Sequence, residues 1–115
     1  MAATLHGLMP ILATPFDEGG ALDRVSLRRL VEFELAAGVD GVAVFGMASE
    51  GFALTAAERR TILADVVEIV DGRIPVIAGV NGTSTATSIE QALMAEDMKK
   101  NPPKSLFEGA DAPKR

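Results

Sequence analysis

The sequence predicts an α/β fold built on a parallel sheet. Three observations carry that reading. Apolar runs and amphipathic stretches alternate three times along the 115 residues. The runs are apolar on both faces, as strands covered on two sides are. Each amphipathic stretch opens at a capping residue, so the helices lie between the strands. A parallel sheet with crossover helices follows. An open doubly wound sheet and a piece of a (β/α)₈ barrel both satisfy this pattern, and local pattern leaves the two open.

The first strand is read at Leu8–Ala13, "LMPILA". Pro10 donates no hydrogen bond, so it suits the start of a strand better than its middle. Thr14-Pro15-Phe16 ends the run, and "DEGG" at 17–20 is a turn. Asp17 and Glu18 there read as a solvated pair. The first helix follows from Asp23, read as its N-cap, to Gly38, read as its stop. Leu27, Leu30, Val31 and Leu35 share one of its faces.

"VDGVAVF" at 39–45 reads as the second strand, and 46–54 as a loop. Thr55-Ala-Ala-Glu58 forms a capping box, in which each side chain takes the other residue's backbone N–H. The second helix carries Ile62, Leu63, Val66, Ile69 and Val70 on one face and stops at Gly72. "IPVIAGV" at 74–80 is expected to be a third strand, again buried. A third helix is placed at about Ser88–Met98, behind a second capping pattern, Thr87-Ser-Ile-Glu90. Residues 1–98 make one domain of three βα units. Residues 99–115 are a polar tail with prolines and lysines.

Composition removes several functions. Apolar residues make up 48% of the chain, enough for a core. The net charge of −5 argues against a nucleic-acid or anionic-membrane partner. No Cys is present, which excludes thiol chemistry and Cys-ligated metals. His6, the single His, makes no multi-His metal site. No run reaches the ~18 apolar residues of a membrane span, and no signal peptide is recognised, so a cytoplasmic protein is expected.

In either candidate fold, ligands bind beyond the carboxyl ends of the strands. The segments 14–20, 46–54 and 79–85 lie there. They are rich in Gly, Ser and Thr, which expose N–H and hydroxyl groups near helix N-termini, a setting suited to a carboxylate or phosphate. Turn and cap duties alone account for most such loops. The dinucleotide and P-loop phosphate cradles are missing, and "GMASEG" is not a nucleophile elbow. Glu50 reads either as a buried carboxylate holding loop N–H groups or as a general base.

Three blocks carry a resemblance. "ATPFDEGGALD" (13–23), "GVDGVAVFGMASEGFALTAAER" (38–59) and "IPVIAGVNGTST" (74–85) resemble, in order and spacing, the dihydrodipicolinate synthase / N-acetylneuraminate lyase family. These are class I aldolases on a (β/α)₈ barrel. The resemblance makes this chain the first three βα units of such a TIM barrel, with parallel strands and the barrel incomplete. It implies a lyase without cofactor or metal that forms a Schiff base between a Lys on strand six and a 2-oxo acid such as pyruvate. A Tyr on strand four assists proton transfer. The loop after the second strand grips the substrate carboxylate, which assigns that contact to Met47, Ala48 and Ser49. Thr14, Gly46 and Glu50 support the loop.

The sequence departs from the family in two respects. It has no Tyr, and its lysines are Lys99, Lys100, Lys104 and Lys114, all in the expected tail. Exposed lysines titrate near ~10.4 and form imines poorly at neutral pH. None is assigned a catalytic role, and the chain is read as truncated and inactive alone. Second, Met47 and Ala48 stand where many members carry hydroxyls, and Ser49 stands where Gly is usual, which suggests a different 2-oxo acid or sugar acid. Open sheet edges are expected to drive self-association into a homo-oligomer. The alternative is a non-catalytic βα module that self-assembles or binds a small carboxylate. An active minimal enzyme using a tail lysine is the third reading.

Overall fold

A computed structural model describes residues 4–100. Five elements form in the order α1 (Arg24–Ala37), β1 (Val42–Val44), α2 (Ala56–Val70), β2 (Val76–Ala78) and α3 (Thr85–Lys100), with a single 3₁₀ turn at Gly51–Ala53. β1 and β2 pair in parallel, with Val42 opposite Val76 and Val44 opposite Ala78.

The first predicted strand is reduced to one parallel bridge, Ile11 to Ala43. Ala43 N–H donates to the Pro10 carbonyl at 2.9 Å, and Leu12 N–H donates to the Ala43 carbonyl at 2.8 Å. One step further back, a ladder would need an N–H from Pro10, which has none. The segment runs parallel beside β1 without becoming a regular strand.

The helix ends follow their local chemistry. Asp23 accepts the Ser26 N–H at 3.0 Å and so caps α1. Gly38 closes it at φ 81°, in the left-handed region where a Cβ is costly. Both halves of the Thr55–Glu58 box are made, at 3.0 and 2.8 Å. The turn before α1 is held by Asp17, whose carboxylate accepts the N–H groups of Gly19 and Ala21.

α3 departs from expectation at its start. It begins at Thr85, three residues before the predicted position. Ser84 caps it: the Ser84 hydroxyl accepts the Thr87 N–H, and the Thr87 hydroxyl accepts the Ser84 N–H, both at 3.1 Å. Thr87 therefore answers a cap instead of being one. α3 also continues through Lys99 and Lys100, the first two residues of the expected tail, and the rest of that tail lies outside the described residues.

The core lies between α2 and its neighbours. α2 packs against α1, α3 and β2. Ile62, Leu63, Val66, Ile69 and Val70 of α2 are all buried, against Leu27 and Val31 of α1, Val42 and Val44 of β1, and Met98 of α3. Each such side chain contributes roughly 1.5–3 kcal/mol by leaving water. The third predicted strand is only half-buried. Among the described residues β2 is the last strand of its sheet, and its flank opens into a groove of about 660 Å³ lined by Leu63, Val67, Val70, Ile74, Ala78 and Ala95. No helix among the described residues is long and apolar enough to cross a membrane.

Candidate functional site

The loop at the carboxyl end of β1 is shaped by two residues in left-handed backbone. Phe45 has φ 63° and Glu50 has φ 56°. Such conformations cost a non-glycine residue energy and persist only where surrounding contacts hold them. Between them the chain makes a tight turn. Ser49 N–H and Gly51 N–H both donate to the Gly46 carbonyl, at 3.1 and 3.2 Å, and Glu50 N–H donates to the Met47 carbonyl at 3.0 Å.

This geometry separates the three residues assigned to carboxylate binding. Met47 and Ala48 are exposed. Their N–H groups donate to no acceptor among the described residues. Ser49 is different: it is 1% exposed, its N–H is spent on Gly46, and its hydroxyl donates to the Leu12 carbonyl. In a continued parallel ladder that carbonyl would receive the Phe45 N–H. Phe45 has already turned the chain away, and the Ser49 hydroxyl takes the vacant acceptor. Ser49 is thus a tie between loop and first segment, and its N–H is not free for a ligand.

Thr14 donates its hydroxyl to the Ser49 carbonyl at 2.5 Å. Gly46 supplies the carbonyl on which the turn closes. For Glu50 the reading as a buried carboxylate is corrected. Glu50 is exposed, and its side chain caps nothing, so it is not a buried carboxylate holding loop N–H groups. Its contribution is through its backbone, whose carbonyl accepts the Ala53 N–H at 2.9 Å.

Arg59 was not singled out from the sequence, yet it organises the back of the loop. It is 3% exposed. Its Nη1 donates to the Gly51 carbonyl at 3.2 Å and to Asn81 Oδ1 at 2.8 Å, and its Nη2 donates to the Gly79 carbonyl at 2.7 Å. The guanidinium lies 4.1 Å from the centroid of the Phe45 ring. Burial pulls its pKa below the ordinary arginine value. Asn81 Nδ2 donates to the Phe45 carbonyl at 2.7 Å, which closes the network onto the strand end. A signal existed: Arg59 lies three, four and seven residues before Ile62, Leu63 and Val66, on the apolar face. Asp65 sits on the same helix, fully buried, in a two-point contact with Arg24 at 2.8 and 2.9 Å.

Other features lie apart from this loop. An open concavity of about 600 Å³ runs along Gly82, Ser84, Ser88 and Ile89 at the start of α3. Lys99 faces the groove beside Gly72 and Ile74, at the amino end of β2 and so at the opposite end of the sheet. The Lys100 ammonium meets Glu96 at 2.5 Å, which raises its pKa above the ordinary lysine value. Lys104 and Lys114 lie outside the described residues. Among the described residues no group of three or more His, Asp or Glu is placed to hold a metal ion.

Known proteins are similar to this chain in sequence and in backbone. The model of the Dihydrodipicolinate synthetase family matches residues 4–99. An N-acetylneuraminate lyase of Escherichia coli K12 is 45% identical over 96 residues, which are 84% of this chain and 32% of the lyase. The structure of the chloride-inhibited dihydrodipicolinate synthase from Acinetobacter baumannii complexed with pyruvate superposes with a TM-score of 0.80. It is 29% identical over 83% of this chain and 33% of that one. Dihydrodipicolinate synthase from Thermotoga maritima gives a TM-score of 0.77 at 36% identity, over 80% and 31% of the two chains. These neighbours are TIM barrels, so the three parallel segments and their helices correspond to part of a barrel that does not close within the described residues. The chain spans about a third of the length of the curated relatives it matches. By the match across 4–99, this chain belongs to the dihydrodipicolinate synthetase family.

Proposed function

We propose that this chain carries the carboxylate-gripping part of a Schiff-base lyase that acts on a 2-oxo acid, pyruvate or a relative of it. One observation carries the reading. Met47 and Ala48 present two successive N–H groups without acceptors at the carboxyl end of β1, where a parallel α/β sheet binds ligands. Adjacent N–H donors in a tight turn suit a carboxylate. The pyruvate bound to the Acinetobacter relative agrees with that ligand class.

Bond formation is a different matter. A Schiff base needs a neutral amine attacking the 2-oxo carbon, followed by loss of water, so the lysine pKa must be depressed by its surroundings. Lys100 is shifted the opposite way by Glu96, and Lys99 lies at the far end of the sheet. The chain holds no Tyr to move a proton. The 115-residue chain on its own is therefore proposed to bind the 2-oxo acid without turning it over. Expected self-association belongs to the same reading. The flank of β2 is open, and Leu8 and Ile11 of the first segment are 66% and 50% exposed. A cytoplasmic location is proposed with it.

Pyruvate titrated into the ¹⁵N-labelled chain is expected to shift the Met47 and Ala48 amides, while borohydride is expected to trap no adduct. Unmoved amides would overturn the binding assignment. A pyruvyl adduct on any lysine would overturn the inactivity.

A further inference from the structure

We infer that Arg59 is a positioning residue: its guanidinium locks the 46–54 loop to the 79–84 segment and so sets the aim of the Met47 and Ala48 N–H groups. Its Nη1 and Nη2 reach carbonyls on two different segments, Gly51 at 3.2 Å and Gly79 at 2.7 Å. Asn81, bound to Nη1 at 2.8 Å, passes the constraint to the Phe45 carbonyl at 2.7 Å. The Asn81 N–H in turn donates to Gln91 Oε1 of α3 at 2.8 Å. The Phe45 ring lies under the guanidinium. Phe45 and Glu50, the two left-handed residues that shape the turn, are thus both adjoined by groups that Arg59 holds: Phe45 directly, and Glu50 through Gly51.

Core filling does not explain an arginine here. Its neighbours three, four and seven positions on, Ile62, Leu63 and Val66, are apolar, and a leucine or methionine would fill similar volume without desolvating a charge. The acceptors are neutral oxygens, which compensate a buried cation less than a carboxylate would. Nε is buried without a hydrogen-bond partner. What the planar fork supplies, and an apolar chain or a lysine does not, is two fixed donors pointing at two separate segments.

The functional weight of the clamp rests on the carboxylate reading above; the clamp itself does not. The test uses the full chain, Arg59→Lys and Asn81→Ala, with amide hydrogen exchange and pyruvate titration on each. In Arg59→Lys, exchange at Ser49, Gly51 and Asn81 is expected to quicken about tenfold while the Val31 and Val66 amides keep their protection. The dissociation constant for pyruvate is expected to rise about tenfold as well. Asn81→Ala, which keeps the guanidinium and both carbonyl contacts, is expected to loosen the same loops less. Equal loss of protection in loops and helices would mean that Arg59 only stabilises the core, and would overturn the inference. So would loosened loops with unchanged pyruvate affinity, or unchanged loop exchange in both variants. If pyruvate fails to move the unsubstituted chain, the carboxylate reading falls, and the exchange data alone judge the clamp.

Discussion

The hydroxyl of Thr14 donates to the carbonyl of Ser49 at 2.5 Å, and the hydroxyl of Ser49 returns the contact by donating to the carbonyl of Leu12. Two residues 35 positions apart latch the first segment to the loop after β1. The latch stands at the carboxyl end of the first segment, where the ladder stops because Phe45 turns aside. The Ser49 hydroxyl replaces the Phe45 N–H that a continued ladder would bring to the Leu12 carbonyl.

Ser49→Ala is therefore expected to cost about 1–3 kcal/mol, the penalty for leaving the Leu12 carbonyl buried without a partner. Thr14→Val should cost less, because Thr14 is only half-buried and water can replace it. Urea unfolding of the two variants checks the order. Equal midpoints for Ser49→Ala and the parent chain would refute the latch.

Asp65 has no exposed surface, and the partner side chain of Arg24 is 38% exposed. Removing one partner of a buried pair costs roughly 3–5 kcal/mol, and partial exposure of Arg24 lowers that to about 2–3 kcal/mol for Asp65→Ala. Arg24→Met should be worse than the double variant Arg24→Met/Asp65→Leu, since it strands a carboxylate in the core. Chemical denaturation of the single and double variants measures this directly.

A Cβ at Gly51 would lie 2.5 Å from the Phe45 carbonyl oxygen and 2.6 Å from Asn81 Nδ2. One obstacle is backbone, so the strain cannot be relieved by a rotamer change. Gly51→Ala is expected to destabilise the chain by about 1–3 kcal/mol and to displace the Arg59 network. Loss of the Asn81 amide's native chemical shift would report that displacement.

Asp23 has its pKa lowered from 3.8, first by the Ser26 N–H and then by the Ser26 hydroxyl. A carboxylate depressed in the folded state stabilises fully above its unfolded pKa, and that contribution disappears as pH falls through the folded value. The start of α1 should fray below about pH 3.8. The Ser26 amide shift followed through an acid titration gives the midpoint, and Asp23→Asn should remove the pH dependence. A midpoint above 3.8 would contradict the sign.

The caps at Asp23 and Thr55, the stop at Gly38, the buried face of α2 and the family were legible in the residues alone. Each depends on residues three or four apart, or on short blocks in order, and helical geometry makes such neighbours meet wherever the helix lies. What the loops do depends on contacts between segments far apart in the chain. Ser49 looked like a ligand donor and is a tie; Glu50 was read as a buried carboxylate or a general base, and its side chain is exposed; Arg59, which the sequence reading did not single out, is buried. Their partners lie far along the chain: Leu12 is 37 residues from Ser49, and Gly79 is 20 from Arg59. Whether a polar side chain faces water or a distant carbonyl is set by which segments the sheet brings together, and no local period encodes that.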